Sequence, residues 1–209
     1  MTPYFITGIG TNIGKTVIAA IMAEALEADY WKPVQAGYAN GTDSQWLKKM
    51  MTNKNSVVHK ETYKLKLAAS PHIAAEEEGI EISIDKIVDG KPVTTNPLLI
   101  EGAGGLMAPL NKNNFAIDLI KKLGATVIIV SRNYLGSINH SLLTAEVLKQ
   151  NKIDVLGWIF NGDYLDYEND IVQWSGFPWI ASVRNLPEIN KDIIHTQAVK
   201  IKEHLNLFL

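Results

Sequence analysis

Short apolar runs alternate with longer amphipathic stretches from one end of the chain to the other. The runs at 4–7, 30–34, 97–101, 126–131, 155–160 and 179–183 are four to six residues long and apolar on both faces. Runs of this kind predict strands of a parallel sheet covered on both sides. Helical periodicity fits 15–28, 43–51, 71–78, 115–123, 138–150 and 192–205. Strands and helices in alternation predict an α/β fold: a doubly wound, mostly parallel sheet with right-handed crossovers. No internal repeat, low-complexity tract or linker interrupts the pattern, so a single domain over 1–209 is expected. The stretches 53–66 and 90–96 follow neither period and are expected to be loops. In such a sheet the binding site lies beyond the carboxyl ends of the strands. Residues just after a strand are therefore candidates, and residues just before one are not.

Composition narrows the chemistry. A chain of 209 residues, 46% of them hydrophobic, can bury a substantial core. It has no cysteine, which removes disulfides, thiolate metal sites, iron–sulfur clusters and cysteine nucleophiles. Lys and Arg number 20 against 22 Asp and Glu, a net charge of −2 that argues against a nucleic-acid partner. No apolar run approaches the roughly 18 residues of a membrane span, and the first residues lack the features of a signal peptide. A soluble, cytoplasmic protein with no membrane or nucleic-acid partner is expected.

The strongest motif follows the first run: Gly8-Ile9-Gly10-Thr11-Asn12-Ile13-Gly14-Lys15-Thr16, leading straight into a helix. Glycines let backbone N–H groups approach phosphate oxygens, and a helix N-terminus adds donors and partial positive charge. Lys15 would place a point charge on the β/γ-phosphates, and the Thr16 hydroxyl would ligate Mg²⁺. The strict spacing G-x₄-G-K-T fails, because the position it requires is Ile9. A dinucleotide fingerprint fails as well, its third glycine being Ile13.

Glu101 ends an apolar run and precedes Gly102-Ala103-Gly104-Gly105, the place for a carboxylate ligand to phosphate-bound Mg²⁺. Lys32, within Trp31-Lys32-Pro33-Val34, is poorly explained as a solvated charge. Asp43 is either a helix N-terminal acid or a second Mg²⁺ ligand, and its position alone does not decide. Asn151-Lys152-Ile153-Asp154 spells a guanine-reading motif but precedes a strand, at the wrong edge of the sheet. Asn161, after that strand, is the better contact for a base. The five histidines (59, 72, 140, 195 and 204) show no metal-ligand spacing.

Taken together these residues resemble the dethiobiotin synthetases. The loop at 8–16 is similar to that family's long phosphate loop, with its five-residue gap before Gly-Lys-Thr. Lys32-Pro33-Val34 with Gly37, Ser70-Pro71-His72, Glu101-Gly102-Ala103-Gly104-Gly105, Leu135-Gly136-Ser137-Ile138-Asn139-His140 and Gly157-Trp158 leading to Asn161 follow in the family's order. The resemblance spans roughly residues 4 to 162 and implies a P-loop NTPase-like fold. It also implies an ATP-dependent cyclo-ligase of biotin biosynthesis, converting 7,8-diaminopelargonate and CO₂ to dethiobiotin through a carbamate and its mixed phosphoric anhydride.

By the same resemblance Lys15 and Lys32 are catalytic, and Thr16, Asp43 and Glu101 hold Mg²⁺. ATP would be bound by Thr11, Asn12, Ile13, Gly14, Lys15, Thr16 and Val17, by Asp43, and by Glu101, Gly102, Ala103 and Gly104. Asn161 and Gly162 would contact adenine, with Arg184, Asn185 and Leu186 as the late nucleotide loop. The substrate would meet Thr11, Lys32, Ala36, Gly104 and Gly105, and Leu135, Gly136, Ser137, Ile138 and Asn139 of a partner in a homodimer. Three positions depart from the family's usual residues: Gly10 for aspartate, Ala36 for serine or threonine, and Gly162 for aspartate. Two further readings use the same loop. One is a partitioning-type nucleotide-switch ATPase, although its usual extra lysine is missing from positions 8–12. The other is a related amide-forming ligase or small-molecule kinase.

Overall fold

Along a strand successive side chains face opposite ways, and both sets are apolar here, so both faces of the sheet must be covered. The computed structural model describes residues 1–205. Its main sheet is built from β1 (Tyr4–Gly8), β2 (Asp29–Trp31), β5 (Leu98–Gly105), β6 (Thr126–Arg132), β7 (Val155–Asn161) and β8 (Trp179–Val183). These run in the order β2-β5-β1-β6-β7-β8, and every pairing is parallel. Phe5, Ile100, Val127, Ile129, Trp158 and Phe160 enter the core on one face. Ile6, Leu99, Ile128, Val130 and Ile159 enter it on the other. Helices α3 (Pro71–Glu77), α4 (Ile84–Asp89), α5 (Ala116–Leu123), α6 (Ser137–Gln150) and α7 (Glu168–Ser175) supply buried residues to the first face. Helices α1 (Lys15–Leu26), α2 (Asp43–Met50) and α8 (Lys191–Leu205) supply them to the second. The doubly wound parallel sheet is as expected; residues 206–209 of the expected domain lie outside the described residues.

The strand expected over 30–34 is two strands. It breaks at Lys32-Pro33: β2 stays in the main sheet, while β3 (Val34–Ala36) pairs in parallel with β4 (Tyr63–Leu65) in a separate two-stranded sheet. Proline has no N–H for the ladder and constrains the residue before it, so the chain changes sheets there. That break sets Lys32 at the end of β2, buried at 6% exposure. The stretch 53–66, expected to be a loop, contains β4. Helix α4, capped by the Ser83 hydroxyl, and helix α7 are not signalled by periodicity, being six and eight residues long with few buried positions each. Strand β5 continues beyond Glu101 through Gly105, which pairs with Gly8. Gly102 is therefore a strand residue backed by Phe5.

Helix α1 carries the phosphate loop's lysine at its first position, and a buried carboxylate ties its far end to the segment after α2. Glu24 accepts from the backbone N–H groups of Thr52 (3.0 Å) and Asn53 (3.1 Å), from Asn53 Nδ2 (2.9 Å) and from the Thr52 hydroxyl. Its Oε1 also lies 3.2 Å from His195 Nδ1 on α8. Burial by itself would raise the Glu24 pKa, but the Thr52, Asn53 and His195 hydrogen bonds outweigh it and hold the pKa at about 2. The folded value lies below the ordinary 4.5, so the stabilisation is complete above pH 4.5 and is lost as the pH falls towards 2. Glu24→Ala, which strands several donors, is expected to lose about 3 kcal/mol at pH 7. Urea unfolding across pH 7 to 2.5 should show the gap to wild type closing in that window. A gap that does not change with pH would disprove the account.

Candidate active site

The carboxyl ends of β1, β2, β5 and β7 converge on one edge of the sheet. A cavity of about 890 Å³ opens there, lined among others by Thr11, Asn12, Gly14, Lys15, Thr16, Val17, Lys32, Ala36, Asp43, Glu101, Ala103 and Gly104. Each of these residues is a candidate from the sequence for phosphate, cation or substrate binding, and the fold brings them together from separate segments of the chain.

The loop between β1 and α1 turns on Gly14. This residue caps α1 with φ 91°, a left-handed conformation that favours glycine, and a Cβ there would collide with the Asn161 carboxamide. The Asn161 Nδ2 donates to the Ile13 carbonyl at 2.9 Å, fastening the end of β7 to the loop. Lys15 is buried, and its Nζ donates to the Gly10 carbonyl at 2.7 Å, curling the loop around the ammonium. Burial and, less strongly, the Lys32 charge lower the Lys15 pKa against the opposing pull of the Glu101 and Asp43 carboxylates, and the net value is about 8. A poorly solvated ammonium at a helix N-terminus is poised to take an anion.

Across the cavity three side chains form a charged cluster. Lys32 Nζ donates to Glu101 Oε1 at 2.7 Å and to Asp43 Oδ2 at 2.5 Å. Glu101 is 1% exposed, and its Oε1 also accepts from the Thr16 hydroxyl at 2.9 Å. Burial would lower the Lys32 pKa, but the two carboxylates raise it above the usual lysine value, so the ammonium stays charged. Asp43 is a helix N-terminal acid whose carboxylate also takes part in the cluster. It opens α2, whose capping box joins Thr42 and Gln45, and its carboxylate faces the site.

The remaining candidates lie outside the cavity wall. Ile13 is buried beneath the loop, and Gly102 and Gly105 sit in the β5 ladder. Asn161 ends β7 behind the loop and Gly162 follows it, while Arg184, Asn185 and Leu186 follow β8 at the same edge. Arg184 is tied to Glu168, and the Asn185 N–H to Asp163 at 2.9 Å. Leu135, Gly136, Ser137, Ile138 and Asn139 form the start of α6 and do not line the cavity of their own chain. Asn151, of the guanine-like motif, caps the other end of α6 by donating to the Val147 carbonyl, before β7 begins. Among the described residues no group of three or more His, Asp or Glu could hold a metal ion by itself. His59 and His195 pair instead with the structural carboxylates of Asp29 and Glu24.

A family model described as an AAA domain matches residues 2–192. An ATP-dependent dethiobiotin synthetase from Christiangramia forsetii is 47% identical over 203 residues, 97% of each chain. Another, from Cytophaga hutchinsonii, is 46% identical over 203 residues, 96% of this chain and 97% of its own. The chain belongs to the dethiobiotin synthetase family. Among solved structures, the cell division ATPase MinD of Pyrococcus furiosus superposes with a TM-score of 0.57 at 11% identity, over the whole of both chains. A plasmid partition protein from Borrelia burgdorferi gives 0.59 at 11% identity, again over both whole chains. Identity that low carries the fold alone, and it is the fold that the parallel sheet and phosphate loop predict.

In this member of the dethiobiotin synthetase family, several site residues carry no motif of their own. Gln35 is buried in β3; its Oε1 accepts from the Asp43 N–H at 3.1 Å, and its Nε2 donates to the Gly37 carbonyl at 2.8 Å. It thereby sets the start of α2, and with it the Asp43 carboxylate, against the cavity. Ala68, Ala69, Ser70, Pro71 and Ala108 complete the wall. Of these, only Ser70-Pro71 has a signal in the sequence, as part of the family's ordered motifs. Tyr30 has none.

Proposed function

We infer that the chain is an ATP-dependent dethiobiotin synthetase, a ligase of biotin biosynthesis. The observation that carries this is near-full-length identity of 46–47% to proteins of that name, in a chain that also gathers Lys15, Lys32, Asp43 and Glu101 at one cavity. The likeness to the partition and cell division ATPases stops at the fold.

We propose that the substrates are 7,8-diaminopelargonate, CO₂ and ATP. One amine adds to CO₂ and loses a proton to give a carbamate, whose oxygen takes the γ-phosphoryl group of ATP and releases ADP; the second amine then attacks the activated carbonyl, closes the cyclic urea and expels phosphate. The protein does little covalent work in this scheme and contributes positioning and charge. Backbone N–H groups between Thr11 and Val17 cradle the phosphates, and Lys15 neutralises charge on them. Lys32, fixed between Asp43 and Glu101, presents an ammonium to the carbamate and the phosphoryl group in transfer. Asn161 reads the adenine, with Gly162 beside it and Arg184, Asn185 and Leu186 closing the base pocket.

Mg²⁺ fits the donor set. Thr16, Asp43 and Glu101 offer oxygen alone, which a hard cation prefers, and Mg²⁺ bound with phosphates needs only one or two carboxylates. The contacts that Asp43 and Glu101 make with the Lys32 ammonium show both as charged oxygen donors at the cavity. When bound, the metal neutralises charge on the phosphates. We further propose a homodimer in which the partner's α6 N-terminus receives the substrate carboxylate. Half-exposed Met107 and Leu143 share a groove with Ile9 and Thr11 beside the phosphate loop, and Leu135 is 84% exposed at the start of α6. Apolar surface next to an incomplete site supports that arrangement. No helix of the described residues is long and apolar enough to cross a membrane, and a cytoplasmic setting is proposed with it.

Incubation with the diamine, bicarbonate and Mg-ATP should release phosphate only when all three are present, with dethiobiotin identified by its mass. Phosphate release that continues without the diamine would sink the proposal.

A further inference from the structure

Glu101 is used from two sides, and only one of them faces the cavity. Its Oε1 meets Thr16 and Lys32, both of which line the cavity. Its Oε2 accepts a hydrogen bond from the Tyr30 hydroxyl at 2.8 Å, with both residues buried. Tyr30 is on β2, in register with Leu99 of β5. Residues 99 and 101 share one face of β5, so the tyrosine leans along the strand by two residues to reach the carboxylate from inside the protein. Its ring belongs to the core formed with α1 and α2, and the residue is 0% exposed. The ring is enclosed in that core, and the backbone is held in the β2–β5 ladder.

A buried carboxylate with one oxygen unsatisfied would rotate to share its better partners or would pull in water. The Tyr30 hydroxyl removes that choice. We propose that Tyr30 is a positioning residue that reserves Oε2 of Glu101 and leaves Oε1 as the oxygen presented to a divalent cation at the phosphates. The proposal rests on the reading of Thr16, Asp43 and Glu101 as the Mg²⁺ ligands. Hydrogen-bond partners behind a ligating carboxylate govern its orientation, and their loss lowers metal affinity or activity by about 10- to 100-fold.

The test is Mn²⁺ binding to the full chain in saturating ADP, followed by the loss of the free-ion electron paramagnetic resonance signal beyond that of a protein-free blank at the same ADP concentration. Saturating ADP also holds each variant folded by mass action. Wild type should bind one Mn²⁺ per site; if it binds none, the metal reading itself fails. Tyr30→Phe keeps the ring and removes only the hydroxyl, and its Mn²⁺ affinity should fall by about 10-fold or more. Its affinity for ADP measured in EDTA should stay within about 3-fold of wild type, a difference of some 0.65 kcal/mol. Leu99→Ala, which weakens the same core without touching Glu101, should lower the melting temperature and leave Mn²⁺ affinity unchanged. The proposal is overturned if Tyr30→Phe binds Mn²⁺ as wild type does. It is equally overturned if Leu99→Ala loses Mn²⁺ affinity to the same extent, because Tyr30 would then act through packing.

Discussion

Lys15→Ala is expected to lower kcat/KM at least 1,000-fold, a loss of about 4 kcal/mol in transition-state stabilisation. Lys15 is the cation at the head of α1, with the loop curled onto its Nζ, and the other lysine lining the cavity, Lys32, is held by two carboxylates. A buried lysine could instead be there to hold the fold together. Its lowered pKa argues the reverse: burial disfavours the charged form, so the folded state bears the ammonium at a disadvantage. Alanine at the first position of a helix is well tolerated. The variant should therefore melt at or slightly above the wild-type temperature while losing activity. Steady-state phosphate release and a thermal melt on one preparation check both halves. More than a tenth of wild-type activity, a loss under about 1.4 kcal/mol, would contradict the assignment.

Lys32→Ala should behave in the opposite way on stability. Lys32 is the counter-ion for two carboxylates, one of them wholly buried. Removing it leaves Glu101 and Asp43 facing each other with no cation between them. Breaking a buried ion pair from one side costs about 3–5 kcal/mol, so a fall in stability of that order is expected in metal-free buffer. Turnover should drop by about 100-fold or more, while ADP binding stays within a few-fold, because the phosphate loop is untouched. Adding Mg²⁺ with ADP should return much of the lost stability, since a divalent cation can replace the missing charge. Parallel loss of nucleotide binding and activity would make Lys32 structural. No recovery with Mg²⁺ would remove Asp43 and Glu101 from the metal site.

The two lysines also mark how far the chain can be read before folding. Lys15 is recognisable because its chemistry is local: strand, glycines, lysine, threonine and helix are contiguous. Glu101 is recognisable because a charge at the end of an apolar run is anomalous. Lys32 stands out for the same reason, but its pairing with Asp43 and Glu101 does not, because they lie 11 and 69 residues away. The split of the 30–34 run is written in Pro33, yet the run's length and apolarity outweigh that residue in a linear reading. Gln35 and Tyr30 are invisible, since a glutamine or a tyrosine in an apolar stretch is ordinary until the group it bonds to is known.

What the sequence determined by itself was therefore the kind of sheet, the edge at which the site must lie and the residues of the phosphate loop. Each depends on periodicity or on contacts between near neighbours, which a linear pattern records. The tertiary structure alone decided which carboxylates share Lys32, which oxygen of Glu101 Tyr30 holds, and that α6 begins outside its own chain's cavity. Those facts depend on the register between β2 and β5 and on where Pro33 sends the chain. Register and crossing are set by the packing of the whole core, so no local pattern encodes them.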